Sequence, residues 1–223
     1  PVVIWQHKHY LSLVLISNFG IPILLGLISG NIWAMLLYAG FFRLVFVHHT
    51  TFMINSLAHI WGSQPYTDEN TAKDNGVLAF FTFGEGYHNY HHKFAADYRN
   101  GIRWWHFDPS KWLIVVLKYL GLASHLKKCS KERIEKALLL QQLKIAKAKA
   151  KTHHNCEELM IKLQREYDAL VNKLTEFYMT KKQLLELRRK AIKDNYDNSE
   201  VLKRYKELKQ TLKEHKKNWQ LIT

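Results

Sequence analysis

The chain has 223 residues, a formal net charge of +14 and two cysteines. Cys129 and Cys156 are far apart and form no CxxC pair, which argues against a disulfide framework. Residues 1–124 hold 8 Lys/Arg against 6 Asp/Glu, whereas residues 125–223 hold 25 against 13. We therefore expect two parts in different surroundings, 1–126 and 127–223. Charge alone does not decide whether the basic part meets anionic lipid, an acidic partner or nucleic acid.

Two long apolar helices are the first predicted elements. Residues 11–30 read LSLVLISNFGIPILLGLISG and carry no charge, and their length matches the hydrocarbon core of a bilayer. After a turn at Gly30 and Asn31, a second apolar stretch runs from Ile32 to about residue 54. A buried hairpin in a soluble protein is the alternative. Two almost uncharged segments of this length favour a membrane hairpin.

The charges around these spans predict their orientation. His7, Lys8 and His9 precede the first span, and the turn between the spans carries no charge. The positive-inside tendency then places both ends of the hairpin in the cytosol, as in an integral, multi-pass membrane protein. Arg43 lies within the second span, where a charge is costly. It is expected either to face a polar partner or to extend its head group toward the interface.

A cluster of histidines follows the spans. On a helix, His88, His91 and His92 are at positions i, i+3 and i+4, which lie on one face. Asn55 and His59 are four residues apart and would share a face if residues 48–59 form a helix. Neutral imidazole is the commonest metal ligand among side chains, so the pattern predicts a metal site. A solvated histidine patch is the alternative.

The chemistry of these residues narrows the choice of metal. Four histidines without cysteine argue against a structural zinc site, which is often rich in sulfur. An open, nitrogen-rich site better suits iron that activates dioxygen. Glu85, just before the cluster, is expected to orient a ligating imidazole by accepting its second N–H.

The stretches NSLAH at 55–59 and GEGYHNYHH at 84–92 resemble the last histidine boxes of the membrane-bound fatty acid desaturases, especially the acyl-CoA delta-9 (stearoyl-CoA) class. The resemblance covers about residues 1–128 of the chain. It implies two iron ions, with four histidines as direct ligands and an asparagine that acts through water. By motif matching, these residues are His59, His88, His91, His92 and Asn55.

The same resemblance implies a reaction and its partners. The family introduces a cis double bond into a saturated acyl chain, using O2 and electrons from a separate donor protein. The substrate would be an acyl-CoA or an acyl-lipid. Thr51, Phe52 and Trp61 are possible walls of the substrate tunnel, although aromatic packing is the alternative for the two rings.

The sequence also departs from the family pattern. The family also has an HxxxxH box and an earlier HxxHH box, both upstream of the stretch that resembles Pro1. The 223 residues contain no HxxxxH, and their HxxHH pattern at 88–92 is the last box rather than the earlier one. The chain also begins within an aromatic-rich stretch. We therefore expect a truncated C-terminal part that is inactive alone. The alternatives are another di-iron lipid hydroxylase of the superfamily, or a non-catalytic truncated membrane protein kept for coiled-coil interactions.

From Lys127 the composition changes to helix-forming Lys, Glu, Leu and Gln. Apolar residues recur every seven positions at Leu163, Leu170, Phe177 and Leu184, which predicts a coiled-coil seam. A break is expected over 194–199, before a final helix. A helical hairpin and a self-associating coiled coil both fit, and no nucleic-acid partner is expected because no binding motif accompanies the charge. The predicted fold class is all-α: a membrane hairpin, a cytosolic histidine-box region and a helical tail.

Overall fold

The fold is built from helices. The computed structural model describes residues 2–152, 154–194 and 199–223. Within those ranges there is no β-strand, and isolated antiparallel bridges join Asp74 to Ser63 and to Tyr87. The predicted all-α class is therefore confirmed. In chain order the α-helices are α1 (Val2–Lys8), α2 (Tyr10–Leu15), α3 (Ile21–Ser29), α4 (Ile32–Met35), α5 (Arg43–Asn55), α6 (Leu57–Ile60), α7 (Gly76–Phe81), α8 (His88–Lys93), α9 (Pro109–Tyr119), α10 (Lys131–Ala150), α11 (Cys156–Asp194) and α12 (Ser199–Ile222).

Two apolar helices form a hairpin near the N-terminus. The first, Tyr10–Ser29, joins α2 and α3 through a π-helical turn at Ile16–Gly20, and the second, Ile32–Ile60, contains a π-helical turn at Leu36–Phe42. Their 20 and 29 residues are long and apolar enough to cross a bilayer. Only 11% and 6% of their most apolar windows is buried. A helix in a soluble core would bury most of that surface, so the exposure agrees with contact to lipid.

The turn between the two helices is set by local chemistry. Gly30 ends α3 in the left-handed region at φ +76°, where the lack of a Cβ avoids a steric clash. The side chain of Asn31 accepts a hydrogen bond from the backbone N–H of Ala34 at 3.0 Å and so caps α4. A Cβ on Gly26 would lie 2.5 Å from the Cα of Ile32, so the glycine permits the helices to start in contact.

Arg43 joins the two helices of the hairpin. Its Nη2 donates to the Oδ1 of Asn18 and to the backbone carbonyl of Ser17 in the first helix. Its Nε donates at 2.8 Å to the carbonyl of Ala39, which lies in the π-helical turn of the second helix. Of the two alternatives for Arg43, the structure shows the polar partner. These contacts supply the hydrogen bonds that a charged group needs at membrane depth.

The second helix does not run unbroken to His59. α5 ends at Asn55, and Ser56 has φ −124° and ψ −72° before α6 begins. The hydroxyl of Ser56 donates at 2.6 Å to the carbonyl of Phe52, a bond from serine to the preceding turn that bends helices. The condition for a shared face, one helix over 48–59, is therefore not met, and Asn55 and His59 lie on opposite sides of a break.

The tail is a bundle of α10, α11 and α12. Leu163, Leu170 and Leu184 of the predicted seam on α11 are buried, and Phe177 is partly buried. The core that includes Leu163 and Leu170 also holds residues of α10 and α12, so the chain's own helices cover this part of the seam. The alternative of an intramolecular hairpin is therefore the observed one, and self-association stays a prediction. Residues 195–198 of the predicted break lie outside the described residues.

Candidate metal centre

The short helix α8 carries the histidine cluster, and its N-terminus is capped from a distance. Its N-cap residue, Tyr87, makes no capping bond with its own side chain. Instead, the Oδ1 of Asp74 accepts from the backbone N–H of Tyr90 at 3.0 Å. Burial raises the pKa of Asp74 to about 6, and bonds from the backbone of Tyr90 and Asn89 act in the opposite direction. A carboxylate in this position stabilises a helix start.

Three imidazoles converge next to this capped helix. The Nε2 of His88 lies 3.2 Å from the Nε2 of His59 and 3.1 Å from the Nε2 of His92. One ligand atom from each of the three histidines lies within 4.8 Å of the others. The Nδ1 of His59 is 2.8 Å from the hydroxyl of Thr71, which fixes the ring of His59 from its other side. Residues that are 29 positions apart thus present nitrogens to one small volume.

These distances fit a shared metal ion. Two nitrogens that bind one metal at about 2.0–2.1 Å, the range of zinc–nitrogen bonds, are roughly 2.9–3.4 Å apart at right-angled to tetrahedral geometry. The two Nε2 separations around His88 are 3.1 and 3.2 Å. The donor set contains no thiolate, which suits a transition metal that prefers imidazole. The three histidines therefore form a candidate metal centre.

Electrostatics keep the central histidine in the form that binds metals. Burial, followed by the neighbouring His92, His59 and His91, lowers the pKa of His88 to about 4. The pKa of His92 is lowered as well, mainly by burial and next by the neighbouring His91. Both rings are therefore neutral at pH 7, with lone pairs available to a metal. The buried Nδ1 of His88, on the other side of the ring, has no hydrogen-bond partner among the described residues.

Two of the predicted ligands lie outside this trio. The ring of His91 is 6.1 Å from that of His88 and 5.9 Å from that of His92, centroid to centroid. Asn55 donates from Nδ2 to the carbonyl of Thr51 at 3.2 Å and is exposed beyond the break at Ser56. The structure thus brings His59, His88 and His92 together, and the roles of His91 and Asn55 stay predictions.

The other predicted site residues have contacts of their own. Glu85 accepts from the Nδ2 of Asn100 at 2.8 Å, and no imidazole contacts its carboxylate among the hydrogen bonds of the described residues. Thr51 donates to the carbonyl of Val47, while Phe52 and Trp61 are 63% and 53% exposed. These exposures place both rings at an open surface. Their roles beside a metal or an acyl chain stay predictions.

Asn89 is a site residue that the sequence analysis missed. It is fully buried, and its Oδ1 accepts from the backbone N–H groups of Tyr66 and Thr67 at 2.9 and 3.3 Å. Its Nδ2 donates to the carbonyls of Thr67 and Ala72 at 2.8 and 2.9 Å. Four hydrogen bonds thus tie α8 to the loop 66–72. Its place between the histidines of HNYHH was the available signal, because position 89 points away from the face formed by 88, 91 and 92.

The rear of α8 packs against the tail. The hydroxyl of Tyr90 donates at 2.7 Å to the Oδ2 of Asp97, which also accepts from the backbone N–H of Cys129 at 2.8 Å. Both carboxylate oxygens of Asp97 accept from Arg99. An apolar cluster accompanies this network and includes residues of α10; its buried members are Tyr66, Tyr90, Phe94, Ile134 and Ala137. The first tail helix therefore supports the histidine helix from behind.

Two glycines before α8 allow the close packing of the site. A Cβ on Gly86 would lie 2.1 Å from the backbone nitrogen of Ala79 at α7. A Cβ on Gly84, which has φ +105°, would lie 2.7 Å from the Oδ1 of Asp108. Asp108 is fully buried and caps α9 by accepting from the backbone N–H of Lys111. The two glycines of the GEG sequence are thus explained by the lack of space for a side chain at positions 84 and 86.

An all-α protein with an exposed apolar hairpin and a histidine cluster behind it belongs to the class of helical membrane proteins with a candidate metal centre. The sequence profile of the fatty acid desaturase family matches residues 1–116, more than half of the chain. The chain therefore belongs to the fatty acid desaturase family, which confirms the resemblance seen in its histidine motifs.

Several acyl-CoA desaturases are similar to this chain. Acyl-CoA desaturase 1 of Saccharomyces cerevisiae is 49% identical over 149 residues, which are 66% of this chain and 29% of that protein. A probable acyl-CoA desaturase of Schizosaccharomyces pombe is 44% identical over 146 residues, 65% of this chain and 30% of the relative. Stearoyl-CoA desaturase 5 of Bos taurus is 34% identical over 140 residues, which are 60% of this chain and 41% of the relative. The chain thus spans less than half the length of each of these curated relatives.

Proposed function

We propose that this chain is the C-terminal part of an acyl-CoA desaturase, which introduces a cis double bond into a saturated acyl chain with the use of O2. The observation that carries the proposal is the convergence of His59, His88 and His92, with Nε2 separations of 3.1 and 3.2 Å. The family membership and the similar acyl-CoA desaturases support the same activity.

Two irons are the proposed metals. His59, His88, His91 and His92 would hold them directly, and Asn55 would act through a water molecule. When bound, iron supplies the activation of dioxygen that removal of two hydrogens from an unactivated chain requires. The remaining ligands would come from histidine boxes outside the 223 residues, so the isolated chain is proposed to be inactive.

The protein's own residues position the reacting groups. Asp74 caps α8 and Asn89 ties it to the loop 66–72, which together hold the histidines in place. Burial keeps His88 neutral, so a proton does not compete with the metal for its lone pair. Thr51, Phe52 and Trp61 would form walls that hold the acyl chain beside the metals and exclude water.

The proposed surroundings follow from the hairpin. The two apolar helices would cross the bilayer, with the histidine region and the tail on the cytosolic side. There the site would meet an acyl-CoA or acyl-lipid substrate and a separate electron-donor protein. Glu85 is proposed to orient a histidine once the missing ligands are in place.

The proposal is tested in the protein expressed from its full transcript in a host that lacks its own delta-9 desaturase. We expect monounsaturated acyl products from the unaltered protein and none from the His91→Ala or His92→Ala variants. His215→Ala is the matched control, because this histidine lies on α12 in the tail. Products that carry a hydroxyl group in place of a double bond would favour the hydroxylase alternative. Full activity and iron content in His92→Ala would refute the ligand assignment.

A further inference from the structure

One face of α12 carries an uninterrupted row of lysines. Lys206, Lys209, Lys213 and Lys217 are three, four and four residues apart, so they form a stripe along the helix, and all four are exposed. Glu207 lies about 100° around the helix from Lys206, outside the stripe. Among the described residues no carboxylate lies within salt-bridge distance of these four ammonium groups.

The neighbouring basic residues behave differently. Lys216 is bonded to Glu135 of α10 at 2.6 Å, and Arg204 is bonded to Glu176 of α11 at 3.1 Å. Those two cations therefore hold the bundle together. The lysines of the stripe make no such contribution, and their mutual repulsion opposes helix formation. A row of positive charges without partners in the protein is suited to bind an anion from outside the protein.

The stripe borders an open groove beside α12. The groove has a volume of about 1020 Å³, and Phe177 and Leu212 contribute apolar surface to it. Glu135 and Glu214 are the acidic residues of its lining, against four lysines besides Lys216, and Glu135 is already engaged by Lys216 and by the hydroxyl of Tyr178. The groove thus combines cationic edges with an apolar floor.

Among possible anionic partners, the position of the tail favours the surface of a membrane. Residues 120–130 join α9 to α10, and a linker of that length spans at most about 40 Å when fully extended. Just before it, Trp104 and Trp105 are 88% and 58% exposed, and aromatic rings of this kind concentrate at membrane interfaces. The apolar hairpin lies in the same chain. The bundle is therefore tethered within reach of a bilayer surface.

We infer that the lysine stripe of α12 is a docking surface for anionic phospholipid headgroups of the membrane that holds the hairpin. Clustered lysines next to a membrane segment bind anionic lipid through additive attraction. Phosphate oxygens would meet the ammonium groups of Lys206, Lys209, Lys213 and Lys217, and the apolar floor of the groove would accommodate the start of an acyl chain. This inference is independent of the metal centre.

Lysine-reactive footprinting of the full chain tests the inference. The chain is reconstituted in bilayers of phosphatidylcholine alone or with about 30% phosphatidylserine, and acetylation of each lysine is measured by mass spectrometry. We expect the four stripe lysines to be acetylated about threefold more slowly in the anionic bilayer. About 0.5 M salt should abolish this protection by screening. Lys131 and Lys182, which are exposed elsewhere on the bundle, are internal controls.

A charge-reversed variant completes the test. In Lys209→Glu with Lys213→Glu, protection of Lys206 and Lys217 should be lost, while the acetylation of Lys131 stays unchanged. Equal acetylation of the stripe in both bilayers would overturn the inference, as would equal protection of the stripe and the control lysines. Protection of the stripe by added RNA or heparin but not by phosphatidylserine would assign the surface to a soluble polyanion and would also overturn it.

Discussion

The hydroxyl of Tyr90 in the histidine helix donates at 2.7 Å to the carboxylate of Asp97, and that carboxylate accepts from the backbone N–H of Cys129 in the tail, just before α10. The histidine helix, the segment around Arg99 and the start of the tail therefore all contact the buried carboxylate of Asp97. This arrangement makes the tail part of the support of the candidate metal centre, and it leads to measurable consequences.

Replacement of Asp97 by Asn should destabilise the protein by about 3 kcal/mol, because Arg99 would lose its partner in a largely buried position. Burial alone would raise the pKa of Asp97, but bonds from Arg99, Tyr90 and Cys129 outweigh it and leave the pKa below its usual value. The stabilisation should therefore be complete above about pH 4 and be lost as the pH falls through the lower folded-state pKa.

Thermal unfolding of the purified chain at pH 7 and pH 3 measures this effect. Tyr90→Phe removes a single bond to the same carboxylate and should cost only about 1 kcal/mol. An Asp97→Asn variant with an unchanged melting temperature at pH 7 would show that the ion pair does not support the fold.

Replacement of Asn89 by Ala should separate α8 from the loop 66–72. Two backbone N–H groups and two carbonyls would lose their partners in a buried place, at a cost of about 3 kcal/mol or more. Asn172→Ala, at an exposed position inside α11, should not destabilise the protein, because alanine favours helix more than asparagine does. Cobalt(II) absorption of the purified chain reports the site itself, and Asn89→Ala should weaken that signal. Unchanged cobalt binding would contradict a positioning role for Asn89.

The two glycines near α7 give a matched pair of substitutions. Gly86→Ala should disrupt the fold around the histidines, because its Cβ would lie 2.1 Å from the backbone nitrogen of Ala79. Gly76→Ala should be tolerated, since nothing lies within 4 Å of a Cβ at that position. Proteolysis rates of the two variants in detergent provide the comparison. Equal resistance to protease would show that the backbone near Gly86 adapts freely.

Arg43 and Asn18 should be coupled in a double-mutant cycle. Their side chains are hydrogen-bonded across the hairpin, and such contacts in membrane proteins contribute about 0.6 kcal/mol on average. Arg43→Leu and Asn18→Leu should each lower stability in bilayers, and the double variant should lose less than the sum of the two. Strict additivity of the two losses would indicate that Arg43 does not depend on Asn18.

Much of this organisation is visible in the sequence, and the exceptions have physical causes. Apolar length and lack of charge were sufficient to predict the hairpin, and helical spacing brought His88 and His92 onto one face. The break at Ser56 is accompanied by a bond from its hydroxyl to the carbonyl of Phe52, and helical periodicity does not reveal either feature. The role of Asn89 depends on backbone groups of the loop 66–72, whose position only the folded chain defines.

The polar partner of Arg43 illustrates the same limit. The sequence shows a costly charge within an apolar span, but Asn18 lies 25 residues earlier on another helix. Pairing across the hairpin requires the register of the two helices. That register is set by close contacts such as the one between Gly26 and Ile32, which periodicity does not specify.

The histidine helix has only six residues, and an isolated helix of that length does not persist in water. Its shape is imposed by Asp74 at its start, by the loop 66–72 at its side and by α10 at its rear. An engineer who transplanted HNYHH into an unrelated scaffold would therefore move the ligands without their geometry. A working graft would need the loop, the capping acid and the supporting helix as one unit.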